Sequence, residues 1–132
     1  MRRIFTQLIF VACIVLVLAV VFGAFGAHLL EEELGDHGTG IWNTANQYHF
    51  YHGLGMILVL ILGRQYHFPR ILWLTAFTFF MGIICFSGSL YLLALHPEWR
   101  WLGPITPVGG LLFLGGWIMA AIAMFSLQSK EK

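Results

Sequence analysis

Between Asn43 and Gly55 the chain reads NTANQYHFYHGLG, a run of amides, histidines and tyrosines heading an otherwise apolar segment. His49 and His52 are three apart and share one face of a helix. That spacing suits metal ligation, and imidazole suits zinc, copper or haem iron. His28 could be a third ligand. The sequence has neither the HExxH pattern of zinc hydrolases nor the CxxCH pattern of haem attachment. Ser87 or Ser89 with His49 supplies two parts of a nucleophilic site, but a serine nucleophile needs an oriented base. No carboxylate lies in the apolar runs to orient it. The same gap argues against proton translocation, which ordinarily uses an intramembrane Asp or Glu. The bland alternative has neutral histidines hydrogen-bonded to Ser87, Ser89, Tyr91 or backbone.

The elements that must position these groups are membrane helices. The chain has 132 residues, 59% hydrophobic and 10% charged, against about 25% charged in an ordinary soluble domain. A helix needs about 20 apolar residues to cross the hydrocarbon core. Four runs qualify, and helices are expected at about 4–28, 44–63, 71–95 and 105–127, in one domain over 1–132. The first is too long for a signal-peptide core, and Ala24-Phe25-Gly26 makes a mediocre cleavage site, so it reads as a retained helix. Residues 28–42 read as an acidic first loop, in which Leu29–Leu34 could continue the helix by a turn or two before Gly35, Gly38 and Gly40 break it. Its acids and His37 could hold a cation, but a solvated loop is the simpler reading. Pro69 suits the start of the third helix. Trp99 and Trp101 suit the headgroup layer, and SLQSKEK is a polar tail. Cys13 and Cys85 fall inside apolar runs and read as core residues, not as a disulfide.

Short loops imply an up-down antiparallel bundle. Arg2, Arg3, Arg64, Arg70, Lys130 and Lys132 then share one side and Arg100 lies on the other. The positive-inside rule places both termini in the cytoplasm. A net charge of +1 gives no field for nucleic acid. Small residues mark helix contacts in lipid. Rows at 4-3 spacing are Ala12, Leu16, Ala19, Gly23, Gly26; Ala45, His49, His52, Met56, Val59, Gly63; Thr75, Thr78, Gly82, Cys85, Ser89; and Gly109, Phe113, Gly116, Ala120, Ala123. The third row stands out because all five positions are small or weakly polar. These rows predict left-handed crossings.

In this topology His28, Asn46, His49, His52, Ser87, Ser89, Tyr91 and Thr106 all fall in the outer half of the bundle. They form a candidate polar cup for a lipid headgroup or small amphiphile, or a docking point for a larger membrane complex. The alternative is a histidine-based metal or haem protein using His28, His49 and His52, with a redox or transport role. The cofactor is left open.

GAFGAH (Gly23–His28), the Asn43–Gly55 stretch, FSGSLYLLAL (Phe86–Leu95) and LGPITPVGGLLFLGGW (Leu102–Trp117) resemble domain-of-unknown-function family 423. That family comprises small bacterial inner-membrane proteins and the animal transmembrane protein 256. The resemblance implies an all-α four-span bundle of about this length, in the bacterial inner (plasma) membrane, with membrane lipids as its surroundings. It implies no catalytic residue or cofactor. A homo-oligomer remains open.

Overall fold

The computed structural model describes residues 2–66 and 70–128. Pro69 and the Lys130/Lys132 tail lie outside the described residues. Four helices follow in order: α1 Arg2–His28, α2 Glu31–Gln65, α3 Arg70–Leu95 and α4 Ile105–Gln128, with a short 3-10 turn at Arg100–Leu102 before α4. No strand occurs among the described residues. The helical choice follows from the solvent: in lipid a helix satisfies its own backbone groups, and an open sheet does not.

Three stretches, Arg3–His28, Arg70–Leu95 and Arg100–Leu127, are long and apolar enough to cross a membrane. The polar first half of α2 dilutes its hydropathy. Yet α2 runs antiparallel along α1, from Trp42 beside Phe22 to Arg64 beside Phe5. It also runs along α3, from Gly38 beside Ala94 to Gly55 beside Phe79. A helix held between two crossing helices over that length crosses with them. The chain is an all-α membrane bundle.

The packing is a row folded at one end, not a closed square. α1 packs on α2, α2 on α3 and α3 on α4. α4 leans back to touch α2, where the His52 and Phe113 rings stack with centroids 3.5 Å apart. α1 and α4 share no packed interface among the described residues. Phe79 lies on Gly116 of α4, and Phe113 lies on Gly82 of α3. The two rings fill reciprocal notches, each of which exists because glycine has no side chain.

The expected loop at 28–42 is largely helix. Only Leu29 and Leu30 separate α1 from α2. Gly35 alone leaves helical geometry, at φ 61 and ψ 178, which kinks the chain after one turn. That conformation suits glycine. Gly38 stays helical because packing overrides its poor propensity of about 1 kcal/mol. It is buried, and a Cβ there would sit 3.5 Å from the Ala94 carbonyl oxygen.

The expected small-residue rows are turned inward in three helices. Ala12, Ala19 and Gly26 of α1 are buried, as are all six positions named in α2, and Gly109, Phe113, Gly116 and Ala123 of α4. Leu16 and Gly23 of the first row are only half-buried, as are Thr78 and Cys85 of the third. α3 also carries a π-helical turn over Ile83–Gly88. Its wider winding breaks the 4-3 rhythm, so the buried line runs Leu72, Thr75, Phe79, Gly82 and then Ser87, Tyr91, Ala94. α4 presses against this turn: a Cβ on Gly109 would overlap the Phe86 backbone nitrogen and Cα.

Candidate functional site

The polar residues of α2 separate into groups facing different neighbours. On the α1 side, Trp42, Asn46 and His49 form a ladder. The Trp42 indole N–H donates to the Phe22 carbonyl at 2.8 Å. The Asn46 amide donates to the Ala19 carbonyl at 2.6 Å. The His49 ring lies one turn further on, facing the Val15 backbone. Donors at 42 and 46 thus meet carbonyls at 22 and 19, about one turn apart, on an antiparallel neighbour. Gly23 and Gly26 permit the approach: a Cβ on Gly26 would overlap the Trp42 indole, and one on Gly23 would sit 3.0 Å from Asn46 Oδ1.

Tyr91 of α3 closes the ladder. Its hydroxyl accepts from Asn46 Nδ2 at 3.1 Å and lies 3.3 Å from His49 Nδ1. The directions are mutually consistent. Asn46 donates to Tyr91, and Tyr91 donates to His49 Nδ1. The chain pairs polar groups in a medium where leaving them unpaired is costly. The Phe22 ring packs edge-on against Tyr91, with centroids 5.0 Å apart, and fills the space beside the network.

His52 faces the other way. Its Nδ1–H donates to the Tyr48 carbonyl at 2.8 Å, and its Nε2 accepts the Trp117 indole N–H of α4 at 3.2 Å. A carbonyl only accepts and an indole only donates, so this histidine is neutral with a fixed tautomer. Near the α3–α4 end, Ser89 Oγ donates to the Phe86 carbonyl at 3.0 Å and lies 2.7 Å from Thr106 Oγ1. Ser87 is fully buried, and its Oγ has no partner among the described residues. His28 is exposed at the end of α1, away from the others.

The eight residues expected to converge are therefore distributed. Asn46, His49 and Tyr91 touch one another. Ser89 and Thr106 touch each other, and His52 pairs with Trp117. His28 joins none of these groups. Interlocking aromatic rings occupy the interior between them, and among the described residues no group of three metal-ligating side chains comes together. The Nε2 of His52 already holds an indole. The metal or haem arrangement through His28, His49 and His52 lacks the convergence it requires.

A different cavity lies beside this layer. A groove of about 770 Å³ runs between α2 and α4, lined by Gln47, Tyr48, Tyr51 and His52 on one side and Pro107, Gly110, Leu111, Leu114 and Trp117 on the other, with Phe86 and Phe113 as its floor. Gln47 and Tyr51 are exposed, Tyr51 by 55%. Among the described residues the Gln47 amide and the Tyr51 hydroxyl have no hydrogen-bond partner. Asn46 sits opposite Ala19, nine residues from the end of α1, so Gln47 lies about 13 Å along the helix from that end. That is hydrocarbon depth. Sequence reading placed no site here because it followed the face of His49. A helical wheel through Gln47, Tyr51, Leu54 and Leu58 carries the signal: two polar groups heading an otherwise lipid-facing stripe.

A family model described as a protein of unknown function (DUF423) matches residues 22–110. The chain is similar to the UPF0382 membrane protein SH2409 of Staphylococcus haemolyticus, at 46% identity over 103 residues, covering 78% of this chain and 82% of the relative. It is similar to the UPF0382 membrane protein YwdK of Bacillus subtilis at 42% identity over 106 residues, covering 80% and 85%. No solved structure shows a significant match.

Proposed function

We propose that this chain, which belongs to the DUF423 family, is a membrane binding protein that holds an amphiphile in the groove between α2 and α4. The carrying observation is the contrast between two sets of polar groups on one helix. Asn46, His49 and His52 are hydrogen-bonded within the protein. Gln47 and Tyr51 line an open groove at hydrocarbon depth, and neither has a hydrogen-bond partner among the described residues. Polar side chains at that depth are costly and are a functional signal by default. An amphiphile with a hydrogen-bonding head and an apolar tail fits both halves. Its head meets Gln47 and Tyr51, and its tail lies along Leu111, Leu114, Phe113 and Trp117. The network of Asn46, His49 and Tyr91 then acts behind the groove wall, fixing α2 against α1 and α3. The His52–Trp117 bond and the Ser89–Thr106 pair set the spacing of the helices that bound the groove.

The location in this reading is the bacterial inner (plasma) membrane with both termini cytoplasmic, supported by six of seven basic residues on one side. The groove then opens toward the outer leaflet. The test is lipid analysis of the protein purified in mild detergent, by native mass spectrometry. Wild type is expected to retain a defined amphiphile, and the double variant Gln47→Leu/Tyr51→Phe to retain at least about tenfold less, the worth of one to two buried hydrogen bonds. Equal retention by both proteins sinks the reading. So does a groove filled by a second copy, seen as a dimer that cross-links through Leu111→Cys.

A further inference from the structure

At the opposite end of the molecule, α1 and α2 form a second, smaller crevice. It is lined by Phe5, Ile61, Arg64 and Gln65 and encloses about 420 Å³. The Arg64 guanidinium carbon lies 5.0 Å from the centroid of the Phe5 ring. A guanidinium over an aromatic face is held by cation–π attraction and keeps its N–H edges free for a planar acceptor. Among the described residues Arg64 has no carboxylate partner, and the ion pair they contain joins His96 and Glu98 at the other end. Glu32, Glu33 and Asp36 also lie at that far end, while Arg3 and Arg70 share the Arg64 end. This crevice is therefore cationic and uncompensated among the described residues. It sits at the Phe5 and Arg64 ends of the apolar runs of α1 and α2.

We infer that the Phe5–Arg64–Gln65 crevice binds the phosphodiester headgroup of an anionic membrane lipid. The Arg64 fork takes two phosphate oxygens side by side, the geometry that favours arginine over lysine for phosphate. The Gln65 amide supplies a further donor, and Ile61 meets the first acyl carbons. Because the crevice is built from both helices, a bound lipid clips α1 to α2. The site is independent of the groove between α2 and α4 and of the direction in which the chain is inserted.

The experiment titrates the full-length protein in detergent with phosphatidylglycerol or phosphatidylcholine and counts bound lipid by native mass spectrometry. Wild type is expected to prefer phosphatidylglycerol. Arg64→Lys keeps the charge and removes the fork, and is expected to weaken phosphatidylglycerol about fivefold, with phosphatidylcholine unchanged. Phe5→Leu, which releases the guanidinium without touching any charge, is expected to weaken it in the same direction. Arg70→Lys is expected to change nothing. Equal affinities for wild type, Arg64→Lys and Phe5→Leu, or an equal loss from Arg70→Lys, reduce the effect to a diffuse basic field and overturn the site. Displacement of the lipid by inorganic phosphate alone at millimolar concentration overturns its assignment to a lipid.

Discussion

Asn46 has two amide hydrogens, and each goes to a different helix: one to Ala19 of α1 and one to the hydroxyl of Tyr91 on α3. That makes Tyr91 the hinge of the network, since it accepts from Asn46 and serves His49. Tyr91→Phe keeps the ring packed on Phe22 and deletes only the oxygen. It leaves a buried amide hydrogen and a buried imidazole nitrogen short of a partner, and is expected to cost about 1–2 kcal/mol. Unfolding in mixed micelles measures this. Combined with Asn46→Ala in a double-mutant cycle, the coupling is expected near 1 kcal/mol. A coupling indistinguishable from zero would show that the 3.1 Å contact contributes nothing. His52 behaves differently. Trp117→Phe strips the donor from Nε2 but leaves the Phe113 stack, so a cost below about 1 kcal/mol is expected by the same assay.

At the scale of helices, glycines decide how closely the elements meet, and their positions are not equivalent. Gly109 faces backbone atoms of Phe86, whereas Gly26 faces the Trp42 side chain and Gly115 has nothing within 4 Å. Backbone cannot step aside as a side chain can. Gly109→Ala is therefore expected to destabilise most, by about 2 kcal/mol or more, because α4 must move off the π turn. Gly26→Ala should cost less, since the indole can swing away at the loss of its bond to Phe22. Gly115→Ala should be neutral or stabilising by up to about 1 kcal/mol, through helix propensity alone. Thermal unfolding of the three variants checks the order, and a Gly109→Ala protein as stable as Gly115→Ala would disprove the close packing. The same contacts explain what was legible in the sequence. The small-residue face of α2 is buried throughout and that of α4 nearly so, so spacing alone exposed them. On α3 the π turn at Ile83–Gly88 shifts the buried line, and that turn leaves no mark in the local spacing. Gly38 looked like a breaker because its helical state is favoured from outside, by its packing near Ala94.

Over the whole molecule, the polar layer and the grooves divide the work by side of α2. The α1 and α3 sides of that helix are closed by hydrogen bonds and interlocked rings. The third side is open toward α4, where the helices touch at His52 and Trp117 and then part around Gln47 and Tyr51. Histidine identity drew the sequence reading to the closed sides, since imidazole is the more reactive group. Only the hydrogen-bond partners, which need coordinates, show that Gln47 and Tyr51 are unpaired on the groove side. Which leaflet the groove serves depends on orientation, and a labelling experiment separates the two ends. In a Cys13→Ser/Cys85→Ser background, single cysteines are placed at Glu33 and Gln65, which lie at opposite ends of α2 and are both exposed. With both termini cytoplasmic, a membrane-impermeant thiol reagent added to intact cells is expected to label Glu33→Cys at once and Gln65→Cys only after permeabilisation. The reverse pattern would invert the chain, moving the groove to the inner leaflet and the Arg64 crevice to the outer. Labelling of both positions from outside would mean that α2 does not cross, despite lying along α1 from Phe22 to Phe5.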